Sequence, residues 1–68
     1  MTHTTELKIA RLRAGYKQQE VADLMGVHVQ TYSNMEKHPD SMSIKDAKRF
    51  AEIVGVSVEN LFFTSDSN

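Results

Sequence analysis

The chain has no cysteine and no tryptophan among its 68 residues, and only one proline and three glycines. The missing cysteines exclude disulfides and thiolate metal sites, and they fit a reducing cytoplasm. Below about 70–80 residues, stability leans on a staple or on very regular packing. Here only packing is left. No apolar run approaches the roughly 20 residues that a membrane-spanning helix needs, and no signal-peptide pattern stands at Met1-Thr2-His3. Excess charge of either sign is lacking too. Eight Lys and Arg against nine Asp and Glu give a formal net charge of −1. That speaks against a strongly basic coat for nucleic acid. It leaves room for a sequence-specific reader, where the charge on one face matters more than the total. Strand-like alternation, internal repeats and low-complexity stretches are all missing. The expectation is one all-α domain over residues 1–68, with a core of about 5–63 and a polar tail over 64–68.

What is present is helical periodicity with clear punctuation. Thr4 or Thr5 can cap a first helix with Glu6 in its first turn. Leu7, Ala10, Arg11 and Ala14 recur at helical spacing, Leu12 is read as widening that stripe, and Gly15 stops it. A second helix runs from about Gln18 to Met25, with Val21, Ala22 and Met25 as its apolar face. Gly26 follows as a tight turn, and Val27 anchors that turn to the core. A third helix starts at His28 or Val29 and ends at Lys37, before Pro39. Ser43 begins a fourth helix, with Asp46 placed as in a capping box. Ile44, Ala47, Phe50, Ala51 and Val54 are its inward stripe, and Gly55 closes it. Ser57 caps a short fifth helix carrying Val58, Leu61 and Phe62. The architecture expected is five short helices around one core.

Two short helices joined by a turn containing glycine form a helix-turn-helix layout. Residues 18–37 supply it. On the third helix, Tyr32, Met35 and Glu36 share one face, while Val29, Gln30, Ser33, Asn34 and Lys37 share the other. Gln30 and Asn34 project together, and amide side chains bond two groups of adenine in the major groove. Val29 suits the thymine methyl. These three are the candidate base readers. Lys17, Gln18, Thr31, Ser33 and Lys37 are candidate phosphate contacts, Gln18 also through its helix-start N–H. Two charges are out of place: Arg11 on the apolar stripe of helix one and Glu36 at the core edge. A buried carboxylate needs a partner, so a structural Arg11–Glu36 ion pair is expected.

The runs Lys17-Gln18-Gln19-Glu20-Val21-Ala22, Met25-Gly26-Val27-His28 and Thr31-Tyr32-Ser33-Asn34-Met35-Glu36-Lys37 resemble the motif of the phage Cro and repressor-type helix-turn-helix family, also called Xre-like. The stretch Ala51 to Phe62 is similar to the last two helices of that family. The resemblance covers about Glu6 to Phe63. It implies a compact five-helix, lambda-repressor-like domain. It also implies a glutamine at Gln18 contacting phosphate, base-facing residues at Val29, Gln30 and Asn34, and a buried Arg11–Glu36 pair. Three departures stand out. Lys17 and His28 occupy positions that are usually hydroxyl caps. His38-Pro39-Asp40-Ser41 replaces a loop that is often basic. Ile9 and Leu24 are apolar where the family is usually polar.

Two functions remain open at this level. One is a sequence-specific DNA-binding regulator of the Cro or repressor kind, a homodimer on a double-stranded operator, in the cytoplasm of a bacterial or phage-infected cell. The other is an antirepressor or modulator that binds a partner repressor, with Ile9, Leu24 and Val29 as candidate contacts; Phe63, beside Leu61 and Phe62, is instead a candidate for the dimer interface of the first. An antitoxin is a related possibility. An enzyme is not expected: there is no glycine-rich phosphate loop, and His3, His28 and His38 lack metal-ligand spacing. No cofactor, metal or membrane partner is expected.

Overall fold

The computed structural model of the protein describes residues 6–62. Five α-helices follow in order: α1 (Glu6–Ala14), α2 (Gln18–Met25), α3 (Val29–Lys37), α4 (Ile44–Val54) and α5 (Val58–Phe62). A single 3-10 turn, Pro39–Ser41, lies between α3 and α4. No strand occurs among the described residues. Thr4 and Thr5, expected as caps of α1, and the tail over 64–68 lie outside the described residues.

Each boundary has a local cause. Gly26 has φ +76°, in the left-handed region that costs a side-chain-bearing residue about 1–2 kcal/mol. Its N–H and that of Val27 turn back to Asp23 and Ala22, which satisfies carbonyls the end of α2 would leave open. The chain therefore turns within three residues, and α2 packs closely against α3. Pro39 ends α3 as expected, but it also opens the 3-10 turn, where it stands at the start. Ser43 caps α4 by accepting the Asp46 N–H at 3.0 Å.

The core joins all five helices. Leu7 and Ala10 of α1 meet Val21 and Ala22 of α2, Tyr32 and Met35 of α3, Phe50 and Ala51 of α4, and Leu61 of α5. Tyr32 stacks on Phe50 with ring centroids 6.0 Å apart, tying α3 to α4. Met25, Val27, Val29, Val54, Val56 and Val58 pack around this centre, half-buried.

The structure corrects three expectations about the core. Leu12 is 55% exposed. It lies five positions after Leu7, about 140° around a helix of 3.6 residues per turn, so it falls off the buried stripe. Ala14, the last residue of α1, is exposed, since no described residue covers the end of that stripe. Ile44 is 75% exposed although it was expected inward. It is the first residue of α4, and side chains lean toward the helix N-terminus. Its side chain lies outside the core, along a surface groove shared with Pro39, Met42 and Val58.

Candidate nucleic-acid interface

The inner side of α3 is a closed polar cluster inside an apolar core. Arg11 and Glu36 are each 6% exposed, the two buried charged residues among those described. The Arg11 Nε lies 2.5 Å from Glu36 Oε2. The Tyr32 hydroxyl donates to the same oxygen at 2.6 Å, and Gln18 Nε2 donates to Oε1 at 2.9 Å. Arg11 Nη1 reaches onward to the Tyr16 carbonyl at 2.9 Å, at the entrance to α2. No buried side-chain nitrogen or oxygen among the described residues is left without a partner. One carboxylate thus fastens α1, the start of α2 and α3 together.

Electrostatics follow from that geometry. Burial disfavours the charged form of Glu36, but the hydrogen bonds from Arg11, Tyr32 and Gln18 outweigh it and hold its pKa below the ordinary value. Burial likewise works against charged Arg11, and the Glu36 hydrogen bond and charge reverse this, raising its pKa. For Tyr32, burial and the bond to Glu36 both push the phenol upward, so it remains a donor.

The outer side of α3 is different. Gln30, Asn34 and Lys37 are exposed, with no side-chain hydrogen bond or ion pair to any described residue. Thr31 is exposed, while Val29 and Ser33 are half-buried. Val29 leans partly on the core, so less of its surface is offered outward than that of Gln30 or Asn34. At the start of α3, His28 replaces a hydroxyl cap and does cap: its Nδ1 accepts the Gln30 N–H at 3.1 Å. At the start of α2, Lys17 cannot do the same, because its ammonium has no acceptor. Only the return half of a capping box is made there, from the Lys17 N–H to Glu20 Oε1 at 2.8 Å. Lys17 is exposed, and Gln18 is half-buried with its amide turned to Glu36.

The remaining sequence candidates scatter. Leu24 is 47% exposed on α2, and Ile9 is half-buried beside Val54, Val56 and Leu61. Phe63 lies outside the described residues. Two features escaped the sequence reading. The bonds from Tyr32 and Gln18 to Glu36 were foreshadowed only by the four-residue spacing of Tyr32 and Glu36. The exposed Ile44, with Pro39 and Met42 beside it, was hidden within an otherwise inward stripe.

A short helix, a three-residue turn and a second helix, locked inside and polar outside, define a helix-turn-helix protein. More narrowly, the chain belongs to the Cro and C1-type, Xre-like helix-turn-helix family, whose model, described as helix-turn-helix, matches residues 7–61. This is a non-enzymatic family of DNA-binding transcriptional regulators. No curated protein and no solved structure is significantly similar to the chain. No helix among the described residues is long and apolar enough to cross a membrane.

Proposed function

We propose that the chain is a sequence-specific regulator of the Cro or repressor kind, laying α3 in the major groove of an operator. The observation that carries this reading is the outer face of α3. It presents Gln30 and Asn34 exposed, one turn apart and free of internal partners, on a helix whose other face is locked to the core. Gln30 and Asn34 read adenine edges, and Val29 adds a methyl contact. Lys17, Gln18, Thr31, Ser33 and Lys37 bind phosphates around them. Thr31 and Lys37 are exposed, which suits this role. A homodimer places two such helices about 34 Å apart on a near-palindromic site.

A second reading has its own observation. Ile44 and Leu24 are large apolar side chains left 75% and 47% exposed. Such a surface also suits a modulator that docks on a partner repressor. A titration of the protein against duplex DNA from around its own gene, with and without the neighbouring regulator, separates the two. Tight, salt-dependent, site-specific binding by the protein alone supports the regulator. Binding to the neighbouring regulator with no DNA binding supports the modulator. In the regulator, Lys37→Ala weakens binding to all sequences and flattens the salt slope by about one unit. An unchanged slope removes Lys37 from the phosphate contacts.

A further inference from the structure

We propose that Glu36 is a positioning residue for DNA contact: its Oε1 holds one N–H of the Gln18 amide and so presets the second N–H of that nitrogen for a backbone phosphate. The inference rests on the DNA-binding reading above. The ligand chemistry is an acceptor-only phosphate oxygen.

The two oxygens of Glu36 have different partners. Oε2 takes Arg11 and Tyr32, while Oε1 takes Gln18. A free glutamine amide flips about its last torsion and exchanges its nitrogen for its oxygen. Here a flip would set the amide oxygen against a carboxylate oxygen, two acceptors with no proton between them. The nitrogen is therefore kept toward Glu36. It carries two N–H bonds, and Glu36 uses one of them. Gln18 is only half-buried, and it is the first residue of α2. The first hydrogen bond inside that helix runs from the Val21 N–H to the Lys17 carbonyl at 3.1 Å. The N–H groups of Gln18, Gln19 and Glu20 come before it, and the Lys17 side chain caps none of them. An amide fixed here by a buried carboxylate meets a phosphate already ordered. A free one first has to surrender the large rotamer freedom of glutamine. The cluster that ties α3 to α1 thereby also sets the orientation of a side chain at the start of α2.

The test removes the anchor without leaving a buried charge. Replacing both partners of a buried ion pair by apolar residues is often neutral for stability. Arg11→Met, Tyr32→Phe and Glu36→Met are combined, which also removes the hydroxyl left without an acceptor. The probe is the duplex that the wild-type protein selects from a randomised pool. In the wild type, Gln18→Ala should weaken binding about tenfold, as expected for a hydrogen bond to a charged group. In the folded triple variant, affinity should already be lower by about that factor, and adding Gln18→Ala should change it less than twofold. The salt slope should not move, because Gln18 carries no charge. A folded triple variant that binds like the wild type, with Gln18→Ala still costing tenfold, overturns the proposal. If the triple variant does not fold, the side-chain amide protons of Gln18 in the wild type are followed by NMR. One should be protected in the free protein, and the other should shift only when the selected duplex is added. Equal exposure of both protons in the free protein overturns it. A wild-type protein that selects no duplex defeats the DNA-binding reading itself, which is a separate result.

Discussion

The two sides of α3 have the same length and the same backbone, yet they are organised in opposite ways. On the inner side, Tyr32, Met35 and Glu36 are buried, and Glu36 accepts from Arg11, Tyr32 and Gln18. On the outer side, Gln30, Asn34 and Lys37 are exposed and make no side-chain bond to the described residues. A polar group in the interior must be satisfied within the chain. One on the surface can wait for a ligand, since water serves it meanwhile. The contrast assigns the two sides different energies: the inner one should govern stability and reach binding only indirectly, through Gln18, while the outer one should govern base reading.

The strongest way to break that division is at Glu36. Glu36→Ala leaves Arg11 buried and unpaired, which should cost about 3–5 kcal/mol. Domains of this class hold roughly 0.05–0.15 kcal/mol per residue, so the loss takes most of the stability. Urea unfolding would show it directly, and an unchanged midpoint would mean that the pair contributes nothing. Acid probes the same group more gently. The pKa of Glu36 is lowered in the folded state from its ordinary 4.5. As pH falls below that ordinary value, the unfolded chain takes up a proton that the folded chain refuses. Stability should therefore be constant in this term above the carboxylate range and fall progressively below it. In Arg11→Met/Tyr32→Phe/Glu36→Met this part of the acid slope should vanish. A slope equal to the wild type's would assign acid sensitivity to other carboxylates.

The division was partly visible in the sequence. Helix ends were legible because Gly26, Pro39, Ser43 and Gly55 act through their own backbone, with no need of the fold. The two charges out of place, Arg11 and Glu36, were visible for the same reason: each broke a local pattern. What was not visible depends on neighbours distant in the chain. Gln18 reads as a phosphate contact at a helix start, and nothing in the sequence links it to Glu36 until α3 brings that carboxylate within 2.9 Å of it. Ile44 fits the stripe of Ala47, Phe50 and Ala51 by spacing, but spacing does not say where the packing partners stop. His28 was a departure from a hydroxyl cap by residue type, and only the geometry shows its ring nitrogen in the place of the hydroxyl.

Substitutions on the outer side should behave in the opposite way to Glu36. Gln30→Ala or Asn34→Ala should each weaken site-specific binding by about 1–3 kcal/mol and relax base choice at one position. Their melting temperatures should stay close to wild type, since exposed residues without partners contribute within about 0.5 kcal/mol. Full operator affinity in both variants would end the base-reading role. A large drop in melting temperature would instead show that the outer face also holds the fold.

The smallest effects concern the two helix starts that frame the turn. His28 caps α3 through Nδ1, whereas Lys17 offers α2 no side-chain acceptor. Removing a good cap costs about 1 kcal/mol, so His28→Ala should lower stability by that amount and speed exchange of the Gln30 amide. His28→Ser, which supplies another acceptor, should recover most of it. Lys17→Ser should move the other way and stabilise α2, because it provides the missing acceptor for its first N–H groups. The same substitution removes a positive charge beside Gln18, so stability should rise while nonspecific DNA affinity falls. Opposite signs in one variant would separate folding from binding at a single residue, at the start of α2. If Lys17→Ser instead raised both, the N-terminus of α2 would be limited by its order and not by its charge, and Lys17 would lose its place among the phosphate contacts.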